Sequence, residues 1–145
     1  DIITFWLERG IDGFRVDAVP HLYEVEDLRD EPRTFFPDAT SNEYTYLDHI
    51  FTKDLPETYA LVASWKKVLD DYANKTGTDE KVMMTEAYAS LLNTTKYYET
   101  GAQVPFNFFF ITSINKDSTP VDYKKVIDDW MTEVLRRPGK IANWV

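Results

Sequence analysis

Ile11-Asp12-Gly13-Phe14-Arg15-Val16-Asp17-Ala18-Val19 reads as a short buried strand that carries two charged side chains in its second half. Alternate residues of a strand point to opposite faces. Arg15 and Asp17 therefore share one face, while Phe14, Val16 and Ala18 share the other. Burying a guanidinium and a carboxylate costs several kcal/mol per ion before any attraction is counted. An active site is one good reason to keep such a pair, because Arg15 would hold Asp17 ionised at neutral pH. A structural ion pair at a strand end is the other reading. On this pattern alone the two stand level.

Working outward, helices and strands alternate. Asp1 to Arg9 has apolar residues at 2, 3, 5, 6 and 7, and Gly10 is its stop signal. After the strand over 11–18, residues 20–52 are polar and aromatic, with Pro32 and Pro37 interrupting any long element. Pro56 suits a first helical turn, and Leu61, Val62, Trp65, Val68, Leu69 and Tyr72 form a stripe ending near Lys75, before Gly77. Residues 81–87 predict a second strand, Ser90 to Thr100 a short helix, and Val104 to Ile111 a third, phenylalanine-rich strand. Thr119, Pro120 and Asp122 form a helix-start signature for a helix that stops at Pro138-Gly139. Residues 140–145 predict the beginning of a fourth strand.

This alternation predicts parallel α/β architecture. The chain opens on a helix and closes inside a strand, and a closed eight-stranded barrel usually needs about 200 residues or more. Residues 1–145 are therefore expected to be a piece of a larger domain, truncated at both ends.

Composition narrows the function. A net charge of −9 and a pI near 4.6 argue against nucleic acid as a partner and against docking on anionic lipid. No apolar run approaches the roughly 20 residues of a membrane span. The absence of cysteine removes disulfides and cysteine-based metal sites. Two glycosylation sequons, Asn74-Lys75-Thr76 and Asn93-Thr94-Thr95, lean mildly toward the secretory pathway.

Glu86 ends Val82-Met83-Met84-Thr85-Glu86-Ala87 much as Asp17 ends its own strand. In parallel α/β folds ligands bind at the C-terminal strand ends. Apolar neighbours such as methionine disfavour the ionised form of an acid, whereas Arg15 favours that of Asp17. Two carboxyl groups tuned apart suit glycoside cleavage, one as nucleophile and the other as proton donor. Glu86 by itself reads better as a cap on the following helix. The matched pair favours a site.

Asp12-Gly13-Phe14-Arg15-Val16-Asp17-Ala18-Val19 resembles the second signature region of the α-amylase superfamily of glycoside hydrolases, and Met84-Thr85-Glu86-Ala87 its third. The whole chain is similar to the insect maltases (α-glucosidases) of that group, including Thr52-Lys53-Asp54-Leu55-Pro56-Glu57-Thr58-Tyr59 and Val104-Pro105-Phe106-Asn107-Phe108. The resemblance implies a partial (β/α)8 TIM barrel, from about the third helix to the start of the seventh strand. A long irregular loop would follow the first strand of the segment.

The resemblance further implies Asp17 as nucleophile, Glu86 as general acid/base, and Arg15 as the arginine that braces the nucleophile. It places His21 at the substrate cleft, although a plain surface histidine fits that loop equally well. His49 has no functional case. Ala18 leans the specificity toward α-1,4 links. Phe106, Asn107 and Phe108 read as core before subsite. The implied activity is that of a retaining α-glucosidase acting on maltose, sucrose and malto-oligosaccharides, secreted or anchored at the cell surface. The family's first and fourth regions, with a further histidine and carboxylate, fall outside these residues. So does the loop where many relatives bind calcium, and neither cofactor nor metal site is expected within the segment. Some superfamily members are instead non-catalytic, acting as ancillary subunits of amino-acid transporters or as surface receptors. Retention of Arg15, Asp17 and Glu86 speaks against that alternative.

Overall fold

In the structure, a computed structural model describing residues 1–144, helix α1 (Ile2–Leu7) passes through a turn at Gly10 into strand β1 (Gly13–Val16). Gly10 has a φ of +88°, a left-handed conformation that favours glycine. Leu7 is buried, and its carbonyl accepts a hydrogen bond from the Tyr72 hydroxyl at 3.0 Å. That bond ties α1 to α2 (Pro56–Thr76).

Helix α2 begins with Pro56 in its first turn and ends at Gly77, which takes the left-handed conformation at φ +64°. Thr58, Val62, Lys66, Leu69 and Ala73 form its buried stripe. The spacing is that of one helix face. Lys66 belongs to that stripe because its stem packs inward while its ammonium reaches the carboxylates of Asp70 and Glu80. Val68, expected in the stripe, is exposed.

Strand β2 (Val82–Thr85) lies between β1 and β3 (Val104–Pro105), and all pairings are parallel. Gly13 pairs with Val82, Arg15 with Met84, and Met84 in turn with Val104. Leu7, Val19, Val62, Leu69, Met83, Ala87, Tyr97 and Ala102 form the core on the helix-covered side of the sheet. Helices α3 (Leu91–Lys96), α4 (Phe109–Thr112) and α5 (Pro120–Leu135) follow. Trp130 and Val134 of α5 bury against Tyr98 in a second cluster.

The long loop after β1 is irregular as expected. It holds two single 3-10 turns, Val19–His21 and Tyr44–Tyr46, and one antiparallel bridge between Arg33 and Leu47. Glu31 gathers its return by accepting from the Phe51 backbone N–H at 3.0 Å and the Thr52 hydroxyl at 2.7 Å. Asp54, with a φ of +57°, closes it by donating its backbone N–H to Pro20 at 2.8 Å.

Three expected elements differ. The strand predicted over 104–111 stops at Pro105, and Phe109–Thr112 is a helical turn instead. Pro105 has no N–H for a ladder, and the Asn107 side-chain carbonyl accepts from the Phe109 N–H at 3.2 Å, which starts the turn. The helix predicted over 90–100 divides into α3 and a 3-10 turn, Tyr97–Thr100. No strand forms over 140–144. The segment is instead joined to β3 by a side chain, with Asn143 Nδ2 donating to the Pro105 carbonyl at 2.8 Å. Val145, the last residue of that expected strand, lies outside the described residues.

Candidate active site

The parallel register puts Gly13, Arg15 and Asp17 on the same face as Val82, Met84 and Glu86, with Phe106 beyond them on the continuation of β3. The opposite face, carrying Phe14, Val16 and Met83, packs on the helices. Backbone hydrogen bonds hold the two acid-bearing strand ends together. Glu86 N–H donates to Val16 at 2.9 Å, and Val19 N–H donates to Glu86 at 3.1 Å. The second bond depends on Ala18, whose left-handed conformation (φ +50°) turns the chain back just after Asp17.

Arg15 joins the carboxylates. Its Nε donates to Asp17 Oδ1 at 2.6 Å, and its Nη2 donates to Glu86 Oε2. Asp17 first and Glu86 second push the Arg15 pKa above its already high ordinary value, so the guanidinium stays charged. Below it lies the Phe106 ring, its centroid 5.3 Å from the guanidinium carbon. Such an arrangement is a cation–π contact.

The structure corrects two expectations. The ion pair is not buried, since the Arg15 and Asp17 side chains are 53% and 66% exposed. Both charged groups stay in contact with solvent, so the desolvation argument from sequence does not apply to them. Glu86 is the more enclosed acid, at 19%, but its neighbour is the guanidinium and not methionine alone. Arg15 was expected to serve Asp17 and instead serves both acids, because β2 places Glu86 directly beside it.

His21 is exposed in the turn after Asp17, and its hydrogen-bonding partner is the Thr52 carbonyl, 3.2 Å from Nδ1. Its ring meets Tyr44 edge-on. Tyr44 stacks on His49 with centroids 3.9 Å apart, giving His49 a packing role. Two participants were not foreseen. Phe106 beneath Arg15 was read as core, which it also is, and its contact with the guanidinium follows only once the β2–β3 register is known. Asp54 accepts from Asn93 Nδ2 at 3.0 Å. It thereby joins the loop after Asp17 to the helix after Glu86. Among the described residues, no group of three or more His, Cys, Asp or Glu side chains is placed to hold a metal ion.

The family model for the catalytic domain of α-amylase matches residues 1–143. This chain belongs to the α-amylase family. The α-glucosidase of Apis mellifera is 44% identical and Maltase 1 of Drosophila virilis 43% identical to this α-amylase-family chain, each over its whole length. The chain spans only 24% and 23% of those two relatives. All of this chain also matches 25% of the salivary α-glucosidase of Anopheles gambiae at 39% identity and 22% of the human amino acid transporter heavy chain SLC3A1 at 36%. The fold is shared with the solved α-glucosyl transfer enzyme XgtA. The TM-score is 0.71 at 24% identity, over 90% of this chain and 24% of that one. The three-stranded sheet with its helices is thus part of a (β/α)8 barrel.

Proposed function

We propose that residues 1–145 are the central catalytic segment of a retaining α-glucosidase that releases terminal α-1,4-linked glucose from maltose and short malto-oligosaccharides, with sucrose as a further α-glucoside substrate. The observation that carries this reading is the single guanidinium shared by Asp17 and Glu86 at neighbouring C-terminal strand ends. In the full-length parent, Glu86 protonates the glycosidic oxygen while Asp17 attacks the anomeric carbon. A covalent β-glucosyl intermediate forms, and Glu86, now a base, activates water to release α-glucose. Retention requires the two carboxyl groups about 5–5.5 Å apart, and a common guanidinium keeps them on one face and close together. Arg15 orients both acids. His21 lines the cleft beyond Asp17.

The names of the insect relatives support the substrate class, and the salivary relative supports secretion. The transporter heavy chain is a relative too. An ancillary-subunit role is disfavoured because Arg15, Asp17 and Glu86 are all present and assembled. Asp17→Asn in the full-length parent tests the nucleophile, with maltose hydrolysis expected to vanish. Near-normal turnover would end the assignment. Proton NMR of the first product reads the stereochemistry: α-glucose is expected, and β-glucose would overturn retention.

A further inference from the structure

The two sequons occupy opposite environments. We propose that Asn74 is the N-glycan acceptor of this segment and that Asn93 is not, its amide being committed to the joint between the long loop and α3. This rests on the secreted reading above only in that the modification is made in the secretory pathway.

Asn74 is exposed in the last turn of α2. Its side chain makes no hydrogen bond among the described residues. Thr76 is exposed, its hydroxyl donating to the Tyr72 carbonyl at 2.8 Å as helical threonines do, and the residues after it leave the helix through the left-handed Gly77. Helix α2 crosses between two parallel strands, so it ends beside the N-terminal end of β2. Asp17 and Glu86 lie at the other end of the sheet. A glycan on Asn74 extends into solvent away from the catalytic face.

Asn93 differs in its amide and in the burial of its sequon threonine. Its Nδ2 donates to Asp54 Oδ2 at 3.0 Å, its carbonyl accepts from the Tyr59 hydroxyl at 3.4 Å, and its N–H donates to the Ser90 hydroxyl at 3.3 Å. The sequon threonine, Thr95, is fully buried and donates its hydroxyl to Leu91 at 2.8 Å. Glycan transfer uses a lipid-linked oligosaccharide pyrophosphate. The sugar C1–O bond to the pyrophosphate breaks, C1 bonds to Nδ2, Nδ2 loses one proton, and the lipid pyrophosphate leaves. At Asn93 that chemistry requires α3 unwound and the Asp54 joint open, and the attached sugar would keep the joint from closing.

The test is glycopeptide mass spectrometry of the full-length parent, driven into the secretory pathway of insect cells by a fused leader. A glycan on Asn74 with an unmodified Asn93 is the expected map. A glycan on Asn93 of the folded, secreted protein, or a bare Asn74, would overturn the proposal. Asn74→Gln should lower the mass of the protein and leave maltose hydrolysis unchanged. Asn93→Gln should leave the glycan mass unchanged and lower the melting temperature, and loss of glycan from that variant would also count against the proposal. If Asn93→Gln fails to be secreted, the wild-type map still decides. Finding the native parent inside cells would refute secretion alone, since the leader-driven map tests the two asparagines independently.

Discussion

Gly13 shows how narrowly the site is set. A Cβ at this position would lie 2.7 Å from the Val82 carbonyl oxygen and 3.0 Å from Val82 Cβ. Gly13→Ala is therefore expected to destabilise the domain by about 1–3 kcal/mol, read as a lower denaturation midpoint, because β1 or β2 must shift where they carry Arg15 and Glu86. Glu86→Gln in the parent should lower kcat by about 10²–10⁴-fold, and a smaller effect in steady-state kinetics would remove Glu86 from proton transfer. Arg15→Lys keeps the charge but not the planar fork that reaches two acids at once, so kcat should fall while the protein stays folded by circular dichroism. That Arg15, Asp17 and Glu86 share one face at neighbouring strand ends was legible in the sequence, because alternation and position at a strand end follow from the residues themselves. The sharing of Arg15 was not. It depends on the register Arg15↔Met84, which is set by two strands far apart in the chain.

The long helices were legible for local reasons: Pro56 and Gly77 bound α2, and Thr119 with Asp122 opens α5. Thr119 donates its backbone N–H to Asp122 Oδ2 at 2.7 Å. These backbone and hydroxyl bonds hold the Asp122 carboxyl below its ordinary range. The sign follows from that direction. The cap's contribution is complete above the unfolded aspartate value, near 3.9, and is lost as pH falls through the lower folded one. Asp122→Ala should therefore flatten the acid limb of the melting temperature against pH, and an unchanged limb would show that the cap does not contribute. The third strand stops short of its expected length because a run of phenylalanines carries no period, and one side-chain hydrogen bond to Asn107 decides for a turn. Residues 140–144 form no strand for a related reason: apolar character alone does not supply a backbone ladder.

Across the whole molecule, the outer edges of β1 and β3 have no strand partner among the described residues, and Phe35 and Phe36 are exposed. Open edges and apolar surface favour association with other chains. The 145-residue chain by itself should sediment as oligomers and lack maltase activity. A monodisperse monomer with one cooperative unfolding transition would contradict this. The parallel α/β class was legible from alternation of elements, whereas the path of residues 20–52 was not, because no periodic pattern governs a loop held by Glu31 and Asp54. That loop departs at Pro20 and returns at Asp54, and the two are hydrogen-bonded to each other. Its length is thereby uncoupled from the positions of Asp17 and Glu86. Closing a longer loop across the same fixed gap costs only about 0.6 kcal/mol per doubling. The Pro20–Asp54 junction is thus a natural splice point, where a different loop could be exchanged to reshape the entrance to the cleft while the chemistry beneath it stays in place.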